Sequence, residues 1–393
     1  MLKEELKNET KVIIYAWNVP SGALMSAVKE EYNYFKKRGY RIGVIFYKAD
    51  VPNYYKNWIK QLNSTIIKKH GKPIKLFNFL AEKTATSGFE IPLDAFFTPS
   101  LFLLKEKPYV ISHEFTSGLS LIFYAIFNPR KVSVVVHDDV FSFLSIKSSK
   151  EVALVSKLIG RIVKFMANFF GILFATNTKL SLSLSRSIKS ARVVNAELGI
   201  SRCDIAPKIT ERREILVVAH WYRQRNPEIY LRVAQIVGKE YKFILAGHWD
   251  DIEYYSEIKK EVEEMNSIQS KVVLMPDLSE EELHELYHGC RAFVRLGFGE
   301  SGIGGGILDA IGHGCPLVIG KGLGGMEDIR NDVHGYLVND EDPNEIAQKI
   351  LNIMQSNDLA RFFSSNVFLI ADKYSWERHG RILEESILHN KGK

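Results

Sequence analysis

Short apolar runs alternate with longer amphipathic stretches along the whole chain. A parallel strand buried on both faces is apolar throughout, whereas a helix that covers the sheet is apolar along one stripe only. In the first half, strands are predicted at residues 11–16, 41–46, 74–77, 109–112, 132–136 and 172–176. In the second half, they are predicted at residues 215–219, 242–246, 272–275, 292–295 and 316–319. This alternation predicts an α/β protein built from two doubly wound sheets.

One polar segment, residues 198–213, interrupts the alternation. It contains a glycine and a proline and lacks any hydrophobic period. Such a composition is typical of a link between domains. We therefore predict a first domain over residues 1–205 and a second domain over residues 206–370. Open α/β sheets bind ligands at the carboxyl ends of their strands, so the cleft between the two domains is the expected site.

The composition is that of an ordinary folded soluble protein and excludes disorder, since 46% of the 393 residues are hydrophobic and 25% are charged. The net charge of +6 comes from 52 basic residues spread among 46 acidic ones. Nucleic-acid binders concentrate basic residues in a patch, so no nucleic acid partner is expected. The three cysteines are scattered without a paired metal-ligand spacing, which favours a reducing compartment and argues against zinc.

The sequence gives little indication of export or of a membrane-spanning segment. The first residues, MLKEELKNETKVIIYAW, hold acidic residues where an export signal needs an apolar run. The uncharged stretches at residues 115–129 and 165–178 are shorter than the roughly 18 residues that indicate a membrane span. A cytoplasmic protein is therefore expected. The basic amphipathic segment 151–167 is interpreted as a packing helix with a solvated face, and contact with an anionic membrane surface is the alternative.

A glycine-rich loop at residues 297–306 is the strongest chemical signal in the sequence. It follows the predicted strand AFVRL and precedes a helix that is expected to begin at Gly305 or Gly306. The free amides and partial positive charge of a helix N-terminus bind anions. A diphosphate is the expected ligand of four consecutive residues, Gly302, Ile303, Gly304 and Gly305. Glu300 and Asp309 would face the same ligand; a tight turn with Glu300 solvated and Asp309 as a helix-start charge is the alternative.

Three motifs after this loop carry a family resemblance. They are LDAIGHGCPLV at residues 308–318, GGME at residues 324–327 and HGYLV at residues 334–338. Together with residues around them from 214 to 385, they resemble family 4 retaining glycosyltransferases, of the glycosyl transferases group 1. The resemblance implies a GT-B fold, in which two Rossmann-like domains face one another. It also implies transfer of a hexose from a UDP- or GDP-sugar to a hydroxyl acceptor with retention, without a metal or other cofactor.

The resemblance assigns roles to residues of the second half. His220 occupies the family's arginine position, and Arg225 its lysine position and diphosphate contact. Glu300 would hold the sugar and Asp309 the ribose. In the family, seven residues lie between the two acidic positions, whereas eight lie between Glu300 and Asp309. With the family's spacing counted back from Asp309, the first acidic position falls on Ser301.

The first half resembles the family's acceptor-binding domain more distantly. Gly22 would lie beside the donor phosphates, or would simply form a turn at a helix start. His137 follows the predicted strand 132–136 where the family places a histidine near the transferred sugar; a structural histidine is the alternative, and the case for His113 is weaker. The C-terminal helix, residues 371–393, would pack back towards the first domain with Trp376 as its anchor.

Other functions on the same fold stay open. A nucleotide-sugar epimerase or hydrolase would act without an acceptor, and a catalytically silent subunit would bind the donor without turnover. His220 and the altered acidic spacing favour the silent subunit. The base, the sugar and the acceptor are not identified by the sequence. The acceptor could be a glycan, a lipid-linked molecule or a small molecule, and a lipid-linked acceptor would suit peripheral membrane contact.

Overall fold

The computed structural model describes a large part of the chain. The described residues are 11–18, 23–48, 64–66, 103–104, 106–114, 117–118, 120–128, 130–137, 161, 164–189, 191–200, 208–249, 251–268, 271–298, 303–323 and 327–391. They form two compact units. The first unit comprises Met1–Leu198 and Trp376–Lys393, and the second comprises Gly199–Ser375. The predicted boundary at residue 205 lies outside the described residues.

The first unit holds a seven-stranded parallel sheet in the order β3-β2-β1-β4-β5-β6-β7. Its strands are β1 (Lys11–Asn18), β2 (Arg41–Lys48), β3 (Ser64–Ile66), β4 (Tyr109–His113), β5 (Val132–Val136), β6 (Ile172–Ala175) and β7 (Arg192–Asn195). Its helices are α1 (Ala23–Lys37), α2 (Ile122–Phe127), α3 (Thr178–Ser187) and the C-terminal helix, labelled α10 below. Strands β4, β5 and β6 are buried throughout, which explains why most of their residues are apolar.

The second unit holds a six-stranded parallel sheet in the order β10-β9-β8-β11-β12-β13. Its strands are β8 (Glu214–Val218), β9 (Lys242–Ala246), β10 (Val272–Met275), β11 (Cys290–Arg295), β12 (Leu317–Gly320) and β13 (Gly335–Val338). Its helices are α4 (Pro227–Val237), α5 (Ile252–Ile268), α6 (Glu280–Gly289), α7 (Gly305–Gly312), α8 (Pro343–Gln355) and α9 (Asn357–Ile370). Short 3₁₀ turns lie at Ile209–Glu211, Arg223–Arg225 and Ala371–Tyr374.

The predicted α/β class with two doubly wound sheets is confirmed. The predicted strands coincide with observed strands to within two residues at each end, except for residues 74–77, which lie outside the described residues. Strands β3, β7 and β13 were not predicted. They have three or four residues each and lie at the edges of their sheets, so their apolar signal is short.

Helix α10 (Trp376–Lys391) packs against α1 of the first unit. Gly380 allows the close approach, because a Cβ atom at this position would lie 2.3 Å from Cγ of Tyr34. The Glu384 carboxylate is buried and accepts hydrogen bonds from the Tyr34 hydroxyl at 2.8 Å and the Tyr40 hydroxyl at 2.9 Å. Trp376 is only half-buried, and the apolar residues that α10 buries completely are Leu383 and Ile387.

Membrane-spanning elements are not seen in the described ranges, where no helix combines sufficient length with sufficient apolar character to cross a bilayer. The predicted basic helix at residues 151–167 falls mostly outside the described residues. Its proposed membrane contact therefore stays a prediction.

Candidate functional site

The second sheet reverses its strand order between β8 and β11. From β8 the chain builds β9 and β10 on one side, and it then returns to build β11, β12 and β13 on the other. In open α/β sheets, a crevice forms outside the carboxyl ends of the strands at such a reversal, because the two following loops run in opposite directions. The loops after β8 and β11 are therefore the place to look for a ligand site in this unit.

Arg225 lies after β8, in the 3₁₀ turn Arg223–Arg225. Its Nη1 donates a hydrogen bond to the carbonyl of Phe298 at 3.2 Å, and its guanidinium carbon lies 4.9 Å from the centre of the Tyr222 ring. Phe298 belongs to the loop after β11, so this side chain bridges the two loops of the strand reversal. A guanidinium has five donors in a rigid fork and can bind a phosphate with two of them.

Helix α7 begins on the other side of the reversal. Gly304 is its N-cap residue and supplies no side-chain cap, so the first amides of the helix are not capped by this residue's side chain. Gly306 packs on the end of β8, since a Cβ atom there would lie 3.3 Å from the Val218 carbonyl oxygen. The Tyr287 hydroxyl donates to the Gly306 carbonyl at 3.0 Å and holds the helix start in place. Asp309 lies half-buried in the next turn.

Two histidines and a carboxylate gather at the ends of β8, β9 and β10. The exposed His220 ring lies 5.2 Å from the ring of His248, whose Nδ1 lies 2.5 Å from an oxygen of Asp277. His248 and Asp277 were not identified from the sequence. Their position just after two predicted strands is the signal that would have found them, since the carboxyl ends of parallel strands meet at one edge.

The first unit joins four titratable side chains in one buried network. His137 follows β5, and its Nε2 lies 3.2 Å from Nδ1 of His113 at the end of β4. His113 Nε2 lies 3.0 Å from one oxygen of Glu31, and His379 Nε2 lies 2.9 Å from the other. His379 Nδ1 lies 2.9 Å from the carbonyl of Glu197. Glu31, His113 and His379 are almost completely buried, and His137 is half-buried.

The network determines which protons its members carry. Burial alone would raise the pKa of Glu31, but the combined effect of His113 and His379 lowers it to about 2, so the carboxylate is ionised. His113 therefore donates from Nε2 to Glu31, and its Nδ1 accepts from His137 Nε2 when the His113 ring is neutral. Burial and the neighbouring His113 lower the pKa of His137 to about 3. His137 is thus a neutral imidazole.

The same network predicts that the folded protein becomes less stable as the pH falls. The unfolded chain binds a proton at His137 below pH 6.5 and at Glu31 below pH 4.5, whereas the folded chain resists both protons until about pH 3 and pH 2. Stability therefore falls as the pH drops, by up to about 1.4 kcal/mol per pH unit for each proton. We expect His137→Gln to give a shallower dependence between pH 6 and pH 4 in denaturant unfolding. An identical slope for variant and wild type would contradict the assignment.

Several predicted site residues lie outside the described residues: Gly22, Glu300, Ser301 and Gly302. The structure describes Ile303, Gly304 and Gly305 at the start of α7, together with Asp309, His220 and Arg225 in the same unit and His137 in the other. The roles of all these residues stay predictions. Sequence reasoning missed Glu31 and His379 altogether, because no motif assigns a role to either residue and they are 348 residues apart.

Comparison with known proteins identifies the class. Residues 212–356 match the family model for glycosyl transferases group 1. This segment contains Arg225, α7 and the strand reversal of the second sheet. The match confirms the resemblance to glycosyl transferases group 1 noted in the sequence.

A curated relative and several solved structures extend the comparison. The poly(glycerol-phosphate) alpha-glucosyltransferase of Bacillus subtilis (strain 168) is 24% identical over 172 residues, which are 42% of this chain and 24% of that protein. The chain thus spans about a quarter of the length of this relative. Anabaena HepE, solved with UDP and glucose, is 12% identical and covers 97% of this chain and 100% of its own, with a TM-score of 0.73.

Two further solved structures have a similar fold. Sucrose-phosphate synthase from Thermosynechococcus elongatus has a TM-score of 0.71 at 14% identity, covering 97% of this chain and 98% of its own. A mutant of S. aureus TarM was solved with Fondaparinux, alpha-GlcNAc-glycerol and UDP. It has a TM-score of 0.67 at 14% identity, covering 98% of this chain and 100% of its own. The predicted GT-B fold is confirmed.

Proposed function

We propose that the protein is a retaining glycosyltransferase that moves a hexose from a nucleoside-diphosphate sugar to a hydroxyl acceptor. The observation that carries the proposal is the placement of Arg225 and the glycine-rich start of α7 on the two sides of the strand reversal in the second sheet. Both lie within the segment that matches the glycosyl transferases group 1 model. This pairing supplies a fixed cation and a helix N-terminus to one anionic group.

The second unit would bind the donor. As the bond to the sugar breaks, negative charge grows on the leaving diphosphate, and donors positioned beforehand stabilise it without rearrangement. Arg225 and the amides of Ile303, Gly304 and Gly305 would act in this way, so the scheme needs no metal ion. Glu300, or Ser301 in strict spacing, would hold the sugar. Asp309 would hold the ribose, since carboxylates accept hydrogen bonds from hydroxyl pairs.

The first unit would present the acceptor side of the reaction. Its neutral His137 would exchange a hydrogen bond with a sugar hydroxyl through Nδ1, because Nε2 is engaged with His113. Gly22 would leave room for the donor phosphates. We assign His137 to orientation of the sugar.

The relatives suggest which substrates to test first. HepE was solved with UDP-glucose, which supports UDP-glucose as the first donor. The Bacillus subtilis relative is named as a poly(glycerol-phosphate) alpha-glucosyltransferase, and TarM was solved with alpha-GlcNAc-glycerol. These names support a polyol-phosphate or glycosylated glycerol hydroxyl as the first acceptor. A cytoplasmic location with the acceptor held at the membrane surface would suit a lipid-linked form of such a polymer.

A donor screen tests the proposal. We expect UDP, GDP or ADP, or one of their glucose conjugates, to raise the melting temperature of the full chain in the presence of EDTA. A ligand at a hundredfold excess over its dissociation constant stabilises the folded state by about 2.7 kcal/mol. The ligand that binds is then incubated with and without poly(glycerol-phosphate), and the anomeric configuration of the product is read by NMR.

The outcomes separate the alternatives. Transfer only in the presence of acceptor supports the transferase. Donor consumption without acceptor would indicate an epimerase or hydrolase, and tight binding without turnover over an acceptor panel would indicate a silent subunit. Failure of every nucleotide to shift the melting temperature would contradict the donor site itself.

A further inference from the structure

Three histidines of the second unit converge at a place that the proposed transfer does not use. His284 and His288 lie one helical turn apart on α6, and His313 follows the last residue of α7. The first two are exposed, whereas His313 is almost completely buried. The sequence between them, HELYH at residues 284–288, has the spacing that places two histidines on the same face of a helix.

The ring nitrogens are close enough to share one ion. The ligand atoms of the three residues all lie within 4.8 Å of one another. His313 Nε2 and His284 Nδ1 are 2.8 Å apart. The ring centres of His284 and His288 are 4.6 Å apart, and those of His288 and His313 are 5.1 Å apart. Three nitrogens about 2.0–2.1 Å from one ion require such convergence, and rotation of the two exposed rings would complete it.

The buried member is already oriented as a ligand. His313 Nδ1 lies 2.7 Å from the carbonyl oxygen of Asp309. A carbonyl only accepts hydrogen bonds, so Nδ1 carries the proton and Nε2 presents its lone pair to the other two histidines. The Tyr287 ring stacks on the His313 ring at 5.1 Å and holds its plane. Metal-binding histidines are usually oriented by this kind of hydrogen bond from the second ring nitrogen.

We propose that His284, His288 and His313 form a binding site for a divalent transition metal, with Zn²⁺ as the best match. Three imidazole nitrogens and one open position match zinc coordination, and the exposed side of the cluster leaves that position to water. Zinc would take the place of the proton that His284 Nδ1 donates to His313 Nε2, and this proton would move to Nε2 of His284, so that the ring stays neutral. The ion would tie α6 to the C-terminal end of α7.

Neighbouring charges affect how strongly the three histidines would bind a cation. The Arg212 guanidinium donates to the His313 carbonyl at 3.0 Å and to the Tyr287 carbonyl at 3.2 Å, so its positive charge opposes a second cation. The Glu285 carboxylate favours positive charge at His288 and acts in the opposite sense. Three neutral imidazoles add no negative charge, which selects zinc, nickel and copper over calcium and magnesium.

Zinc titration of the full chain tests the proposal. Protein treated with EDTA and dialysed is titrated with ZnSO₄ against a chromophoric chelator. We expect one equivalent to bind, and we expect His284→Ala and His288→Ala each to weaken binding at least tenfold. Both residues are exposed, so both variants should fold. His389→Ala is the matched control, because His389 is exposed on α10 in the other unit, and its zinc affinity should equal that of the wild type.

A second measurement tests the coordination geometry of the bound metal ion. Co²⁺ bound at the same site should give the visible absorption bands of a four-coordinate ion, and these bands should vanish in His284→Ala and His288→Ala. Absence of stoichiometric zinc binding, or equal affinity in wild type and both variants, would overturn the proposal. The outcome does not depend on the proposed transferase activity, since binding is measured without nucleotide or acceptor.

Discussion

Replacing Arg225 with alanine is expected to lower kcat/KM for sugar transfer by about 10²–10³-fold, or about 2.7–4 kcal/mol. The side chain bridges the loops after β8 and β11, where a diphosphate would lie against the start of α7. Its fixed charge would act most strongly when the leaving group gains charge. The loss should therefore appear in kcat as well as in donor binding, which initial-rate kinetics over a range of donor concentrations will separate.

Arg223 provides the matched control for this experiment. It lies two residues earlier on the same 3₁₀ turn, but its guanidinium is exposed, contacts the Glu257 carboxylate at 3.2 Å and lies over the Tyr254 ring. Arg223→Ala should leave kcat/KM within about twofold of the wild type, because exposed ion pairs contribute little. Arg225→Lys should retain part of the activity, since a lysine keeps the charge but not the two-pronged contact. Equal activity of Arg225→Ala and Arg223→Ala would refute the diphosphate contact.

Replacing Glu31 with glutamine is expected to lower the free energy of unfolding of the first unit by about 3–5 kcal/mol. The buried carboxylate accepts from His113 on one oxygen and from His379 on the other. His379 also faces the Glu197 carbonyl through Nδ1, so both of its ring nitrogens face oxygen acceptors. A glutamine has one acceptor and one donor group, so one histidine nitrogen that now faces a carboxylate oxygen would face an N–H, and the attraction between the carboxylate and the two histidines would be lost.

Hydrogen exchange of β1 and β4 amides and thermal unfolding will measure this loss. Glu263→Gln is the matched control, since Glu263 is exposed on α5 of the other unit and its replacement should change stability by less than about 0.5 kcal/mol. The unfolding of the second unit should be unaffected by Glu31→Gln. If exchange in the first unit is unchanged, the network does not hold α10 to α1 as described.

The positions of the candidate donor residues could be predicted because they are local. Arg225 and Gly304 each follow a strand whose apolar run is unmistakable, and the carboxyl ends of parallel strands lie on one edge of a sheet. The strand order, however, is not local. Only the sheet shows that β8 and β11 are neighbours and that Arg225 reaches Phe298, 73 residues away.

The two histidine clusters show more clearly which contacts the sequence could not predict. His137 could be singled out because it follows a strand, but Glu31 and His379 lie on helices where no motif assigns them a role. Their meeting depends on Gly380 letting α10 lie close to Tyr34. The convergence of His313 with the H-E-x-x-H pair likewise depends on how α7 ends beside α6.

By itself, the sequence determined the α/β class, most of the strands, the resemblance to glycosyl transferases group 1 and the loops that carry the candidate donor residues, because hydrophobic period and glycine placement act over a few neighbouring residues. The tertiary structure alone decided the strand orders, the buried charge network behind His137 and the gathering of three histidines. These depend on contacts between residues far apart in the chain, which form only when whole helices and strands pack against one another.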